Sequence, residues 1–136
     1  MKGDGHIFLG DFGVSDSIKV GQKRNSFVGS PCWMAPEVMD QEVGYDIKAD
    51  MWSLGITAIE IAEGKVPHQD LPSMKVIMMV LNSPSPKICS YYGWSSEFIA
   101  FVDDCLIKDP SKRLHSSDIF TKHKKFFSKA KGYDYI

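Results

Sequence analysis

The stretch Asp46-Ile47-Lys48-Ala49-Asp50-Met51-Trp52-Ser53-Leu54-Gly55-Ile56-Thr57-Ala58-Ile59-Glu60-Ile61-Ala62-Glu63-Gly64 reads as one long helix. Asp46 suits an N-cap and Gly64 a C-terminal stop. Ten of the sixteen residues from Ile47 to Ala62 are apolar, and they occupy more than one face. A helix apolar nearly all round is buried on nearly all sides. This one is therefore expected to be the spine of a mainly α domain.

Working outward, a second helix is expected after Ser73, where seven of the eight residues from Met74 to Leu81 are apolar. Pro84 and Pro86 should end it. A third, near Glu97 to Leu106, carries Phe98, Phe101, Val102, Cys105 and Leu106 at i, i+3, i+4, i+7 and i+8, the amphipathic spacing. Asp109-Pro110 is expected to break it. A short last helix should follow Ser116, with Phe126-Phe127 packing back onto the body.

The other direction is less regular. Pro36-Glu37-Val38-Met39 suits a short helix with proline in its first turn. Residues 14 to 35 keep no period and read as a long loop, a length usually tied to function or disorder. Asp4-Gly5 is a hairpin signal, and His6-Ile7-Phe8-Leu9 reads as a short N-terminal β segment, small and buried. Only Met1, Lys2 and Gly3 precede that turn. The chain therefore reads as starting in the middle of a fold.

The composition of the 136 residues, 43% apolar and 24% charged, is that of a folded globular domain. The net charge of −1 argues against a protein that coats nucleic acid or anionic membrane. The lysine-rich end (Lys122, Lys124, Lys125, Lys129, Lys131) is expected to be a solvated face. No apolar run approaches a membrane span, and Met1 to His6 lack the apolar centre of a secretory signal. The three cysteines, Cys32, Cys89 and Cys105, form no Cys-x-x-Cys pair. They suit a reducing, cytoplasmic setting rather than a disulfide framework or zinc site. Hydrolase readings fail for want of Gly-x-Ser-x-Gly.

Four short motifs carry chemistry. Asp11-Phe12-Gly13 follows the expected strand, where a carboxylate beside a conformationally free glycine can hold a divalent cation against phosphates. Twenty-six residues after Asp11, Glu37 closes Trp33-Met34-Ala35-Pro36-Glu37. Asp50-Met51-Trp52-Ser53-Leu54-Gly55 lies in the spine helix, and Asp109-Pro110-Ser111-Lys112-Arg113 follows the third helix. Each is weak alone, but their order and spacing make a strong joint signal.

Together they resemble the large lobe of a eukaryotic protein kinase domain. Phe27-Val28-Gly29-Ser30-Pro31-Cys32-Trp33 and Gly44-Tyr45-Asp46-Ile47-Lys48-Ala49 resemble the germinal-centre kinases of the sterile-twenty group. Met74-Lys75-Val76 and Phe126-Phe127-Ser128-Lys129 are most similar to the Fray-type (oxidative-stress-responsive and proline-alanine-rich) branch. The resemblance implies a partial kinase domain over 1–136: an Asp-Phe-Gly segment and activation loop at 11–37 and a helical subdomain at 38–131.

The resemblance also implies roles. Asp11 would be the magnesium ligand bridging the ATP phosphates, Gly13 the turn, and Phe12 a side chain packed beneath the site. Ser30, Pro31 and Trp33 would belong to the substrate loop, with Ser30 favouring serine/threonine specificity. Ser26 aligns with an activation-loop phosphosite. Glu37 and Arg113 would form a buried structural ion pair. Asp50 would be structural, bonding the catalytic-loop backbone in a complete domain and otherwise needing water.

No Gly-x-Gly-x-x-Gly loop, Val-Ala-Ile-Lys-like strand or His-Arg-Asp tripeptide occurs in the sequence. Phosphoryl transfer needs all three, and in this family they precede the Asp-Phe-Gly segment. No catalytic aspartate is therefore assigned, and the small lobe and catalytic loop are read as missing. ATP, magnesium, protein substrates and an upstream activating kinase are expected for the complete domain. The chain alone is expected to be inactive and not to hold the nucleotide, with apolar surface left uncovered and a tendency to aggregate. The alternative is a non-catalytic, kinase-derived binding or regulatory remnant that docks partners through Met74–Leu81.

Overall fold

A computed structural model describes residues 6–17, 22–24, 29–40, 44–89 and 93–131. Among the described residues six α-helical segments follow one another: α1 (Pro36–Met39), α2 (Lys48–Glu63), α3 (Ser73–Asn82), α4 (Ser96–Cys105), α5 (Ile119–Lys122) and α6 (Lys124–Phe127). Short 3₁₀ turns at Pro31–Trp33 and Ser116–Asp118 precede α1 and α5. The architecture is mainly helical, as the sequence predicts.

The helix boundaries follow local chemistry. Asp46 Oδ1 accepts the Lys48 amide at 2.8 Å, so it serves the first turn of α2 from two residues ahead. Gly64 ends α2 at φ 71, a left-handed conformation that glycine adopts without a Cβ penalty. Ser95 caps α4 by accepting the Phe98 amide. That helix stops at Cys105, before the Asp109-Pro110 break that the sequence suggested.

The core gathers around α2 and α4. Trp52, Ile56 and Ile59 of α2 meet Val102, Cys105 and Leu106, all essentially inaccessible. α3 adds Val76 and Val80. Phe126 and Phe127 return onto the body, with Phe126 stacked on Phe98 at 5.3 Å and Phe127 edge-on to Phe101 at 5.4 Å.

Several expectations need correction. His6-Ile7-Phe8-Leu9 is neither strand nor buried: Ile7, Phe8 and Leu9 are largely exposed, and no named strand occurs among the described residues. A strand is held by cross-strand hydrogen bonds, and the only bridge described is Arg24 with Tyr45. The Asp4-Gly5 turn lies outside the described residues. α2 is not buried on nearly all sides, because Leu54 and Ile61 remain exposed, as does Ile47 just before it. The expected last helix is broken into pieces, since His123 at φ −107 and ψ 31 interrupts α5 and α6.

Candidate functional site

The chain from Asp11 to Ser15 makes a tight turn, in which the Ser15 amide and hydroxyl both donate to the Phe12 carbonyl. Positive φ falls on Asp11, at 63, and not on Gly13. The strained residue is thus the carboxylate itself, and such strain outside glycine costs about 1–3 kcal/mol and clusters at functional sites. Phe12 is exposed rather than packed beneath the site. The exposure corrects the packing role implied for Phe12, while Gly13 and Val14 form the centre of the turn.

Asp11 opens onto a depression of about 350 Å³, lined also by Asp16, Arg24, Asp46 and Asp50. Arg24 ties its rim together: Nη2 pairs with Asp16 Oδ2 at 2.8 Å and donates to the Ser17 carbonyl at 3.0 Å. Its backbone exchanges two 2.9 Å hydrogen bonds with Tyr45, the residue just before Asp46. Asp50 reaches this depression from the first turn of α2 and is exposed overall. Partial burial nevertheless pushes its carboxyl above the usual range, and its carboxylate accepts no hydrogen bond among the described residues.

Beside this depression the Ser30–Trp33 segment is held from α2. The Trp33 indole N–H donates to Glu60 Oε2 at 3.1 Å, and Ser53 Oγ donates to the Trp33 carbonyl at 2.8 Å. Ser30 is exposed, while Pro31 and Trp33 are half-buried. Ser26 lies outside the described residues, as do Phe27 and Val28.

Glu37 and Arg113 meet in the interior, 76 residues apart in sequence. Arg113 Nη2 donates to Glu37 Oε2 at 2.8 Å, and Nη1 donates to Glu37 Oε1. The remaining donors reach the carbonyls of Ile107 at 2.7 Å, Lys48 at 2.9 Å and Lys108 at 3.1 Å. All five guanidinium N–H groups are therefore used, which makes full burial of the charge tolerable. The guanidinium carbon also lies 5.3 Å from the centre of the Trp52 ring.

Sequence reasoning missed two connections. Glu60 is one of the few polar residues in the apolar run of α2, a signal that it serves a neighbour. His123 is buried, its Nε2 is 3.0 Å from Asp104 Oδ2 but off hydrogen-bond alignment, and Lys122 Nζ reaches the same oxygen at 2.9 Å. The alternation of lysines around His123 gave no hint of that partner, because a run of like charges normally faces solvent.

Among the described residues no cluster of three metal-binding side chains occurs, and no helix is long and apolar enough to cross a membrane. Residues 1–127 match the protein kinase domain family. The serine/threonine-protein kinase fray2 of Dictyostelium discoideum is 48% identical over 137 residues, covering 98% of this chain and 13% of that protein. Germinal center kinase 3 of Caenorhabditis elegans is 42% identical over 147 residues, 98% of this chain and 24% of its own length. The serine/threonine-protein kinase hippo of Drosophila melanogaster is 45% identical over 117 residues, 85% of this chain and 17% of its own. The chain thus spans less than a quarter of the length of each of these relatives.

Proposed function

Since the chain belongs to the protein kinase domain family, we propose that it forms part of an ATP-dependent protein serine/threonine kinase of the germinal-centre type. In this reading residues 11–37 are the Asp-Phe-Gly segment and activation loop, and residues 38–131 are the helical subdomain. The observation that carries it is the fully satisfied Glu37–Arg113 pair, which fixes α1, whose Val38 lines the Asp11 depression, to the helical body.

The same reading assigns roles. Ser30, Pro31 and Trp33 would present a protein substrate, with Trp33 held by Glu60 and Ser53. A hard carboxylate oxygen suits magnesium, which commonly takes one or two carboxylates and completes its shell with phosphates and water. Asp11 would hold that ion, and ATP with magnesium would supply the phosphoryl group. Asp50 would organise backbone at the mouth of the depression, and Ser26 would take a regulatory phosphate from an upstream kinase. The chain by itself, with no His-Arg-Asp or glycine loop in its sequence, is expected to transfer no phosphate.

The test is to read the transcript upstream of the Met1 codon, and to express whatever open frame is found. An in-frame glycine loop and His-Arg-Asp, with phosphotransfer abolished by Asp11→Ala, is the expected result. An extended protein that transfers phosphate equally well with Asp11→Ala would overturn the assignment. The second reading, a binding remnant, draws on α3, where Met74 and Met78 stay exposed while Val76 and Val80 anchor the helix.

A further inference from the structure

Three of the seven prolines in the sequence follow a serine: Ser30-Pro31, Ser83-Pro84 and Ser85-Pro86. Proline fixes its own φ and biases the residue before it towards extended backbone. A protein kinase selective for Ser-Pro uses both effects. Its slot after the acceptor serine has no acceptor for an amide N–H, which every residue but proline would bring. By sequence the three serines are equal, but the fold separates them.

Ser30 is exposed, yet the chain after it is wound up. Pro31–Trp33 is a 3₁₀ turn in which the Ser30 carbonyl accepts the Trp33 amide at 3.1 Å, and Glu60 and Ser53 hold Trp33 from α2. Ser83 is the C-cap of α3. Its amide donates to the Met79 carbonyl at 2.9 Å, its hydroxyl to the Met79 sulfur at 3.7 Å, and its carbonyl accepts from Lys108 Nζ at 3.0 Å. Ser85 has no such ties. Among the described residues neither its hydroxyl nor its backbone takes part in a hydrogen bond. Residues 84–88 form neither helix nor turn, and their backbone makes no hydrogen bond among the described residues. The chain is next held by the buried Ile88 side chain and by the Cys89 amide, which donates to Glu63 Oε1. Pro84 and Lys87 are exposed, Ser85 and Pro86 half-buried. A stretch anchored only at its ends lifts locally at low cost, so Ser85 can enter an enzyme's cleft while α3 and α4 stay folded.

We propose that Ser85 is a phosphorylation site for a proline-directed serine/threonine kinase acting on the folded chain. The donor is the ATP of that kinase. A bond forms between Ser85 Oγ and the γ-phosphorus as the bond from that phosphorus to the β–γ bridging oxygen breaks. The hydroxyl proton passes to the modifying enzyme's base, and ADP leaves. The product places a charge of about −2 just beyond the C-terminal end of α3, where the helix dipole disfavours it. Two ammonium groups offset that. Lys108 Nζ lies on the Leu81 and Ser83 carbonyls at 2.7 and 3.0 Å, and Lys87 pairs with Asp103 at 2.9 Å in a contact exposed enough to exchange partners. None of residues 83–88 lines the Asp11 depression, and the modification needs no phosphotransfer by this chain. Ser26 is followed by Phe27 rather than proline, so its modification calls for a different enzyme.

The test is to incubate the 136-residue chain, its helical circular dichroism verified, with a purified proline-directed kinase and ATP, and to locate phosphate by tandem mass spectrometry. Ser85 should be modified at least about tenfold faster than Ser30 or Ser83, whose turn and cap must first be broken. Pro86→Ala should remove that product as fully as Ser85→Ala, and Ser83→Ala should not. A kinase that selects arginine before the serine should leave Ser85 unmodified. Equal rates at the three serines of the helical chain would overturn the proposal. So would phosphate confined to Ser30 or Ser83, a Ser85 rate indifferent to Pro86→Ala, or no phosphate on Ser85 from an enzyme that modifies a Ser-Pro peptide in the same tube.

Discussion

Gly55 on α2 lies so close to Cys105 on α4 that a Cβ added to the glycine would stand 2.8 Å from the cysteine Cβ. Real Cβ atoms do not approach that near, and Leu106 crowds the same point at 2.9 Å. The glycine therefore sets the distance between the two helices that form the core.

Gly55→Ala opposes two effects of known size. Alanine improves intrinsic helix propensity by about 1 kcal/mol, while overpacking a tight core costs about 1–3 kcal/mol. Leu106 can rotate away, but Cys105 Cβ is fixed to its backbone. Crowding should prevail, and the urea midpoint should fall. A midpoint at or above that of the parent would show that α4 moves aside freely.

The Glu37–Arg113 pair gives a second test. Glu37→Gln leaves a buried guanidinium without its counter-charge and should cost about 3–5 kcal/mol. Arg113→Lys should also destabilise, since an ammonium has three donors where the fork supplies five. The double change Glu37→Leu with Arg113→Met should cost less than the sum of the two corresponding singles. Chemical denaturation of the four proteins in a double-mutant cycle measures this coupling.

Thiol chemistry should separate the cysteines. Burial, with a smaller contribution from the Asp104 charge, pushes the Cys105 thiol up to about 12, from an ordinary value of 9.0. Cys89 is exposed. A thiol reagent at mildly alkaline pH should label Cys89 readily and Cys105 only on unfolding. The sign for stability follows from proton binding. Above 9.0 the unfolded chain releases the Cys105 proton while the folded chain keeps it, so stability should fall as pH rises towards 12. Cys105→Ala should flatten that decline in a pH series of thermal melts.

The cap on α4 is a milder feature. Ser95→Ala removes the acceptor for the Phe98 amide and should cost about 1 kcal/mol. Ser95→Asp should retain the stability, which a comparison of melting temperatures would settle.

What the sequence disclosed and what it hid divide along the range of the forces involved. α2, α3 and α4 were legible because spacing, caps and Gly64 act within a few residues. The four motifs were legible because chemistry demands fixed residue types at fixed order. The segment at Ile7 to Leu9 was misread because a strand depends on a partner that its own residues do not encode. The interruption at His123 was invisible because its neighbour Asp104 lies on another helix. The positive φ at Asp11 was hidden because glycine, two residues on, has the stronger intrinsic preference for that conformation.

The convergence of Glu37, Lys48, Ile107 and Lys108 on Arg113 has a dynamic consequence. α1 has only four residues, and a helix so short does not persist by itself in water. It cannot fray without stranding the guanidinium, and the guanidinium cannot leave without releasing the first turn of α2. The amides of Met39 and Asp40 should therefore exchange with solvent deuterium as slowly as those of the central helix. One arginine makes a single turn of backbone melt only when the whole body melts.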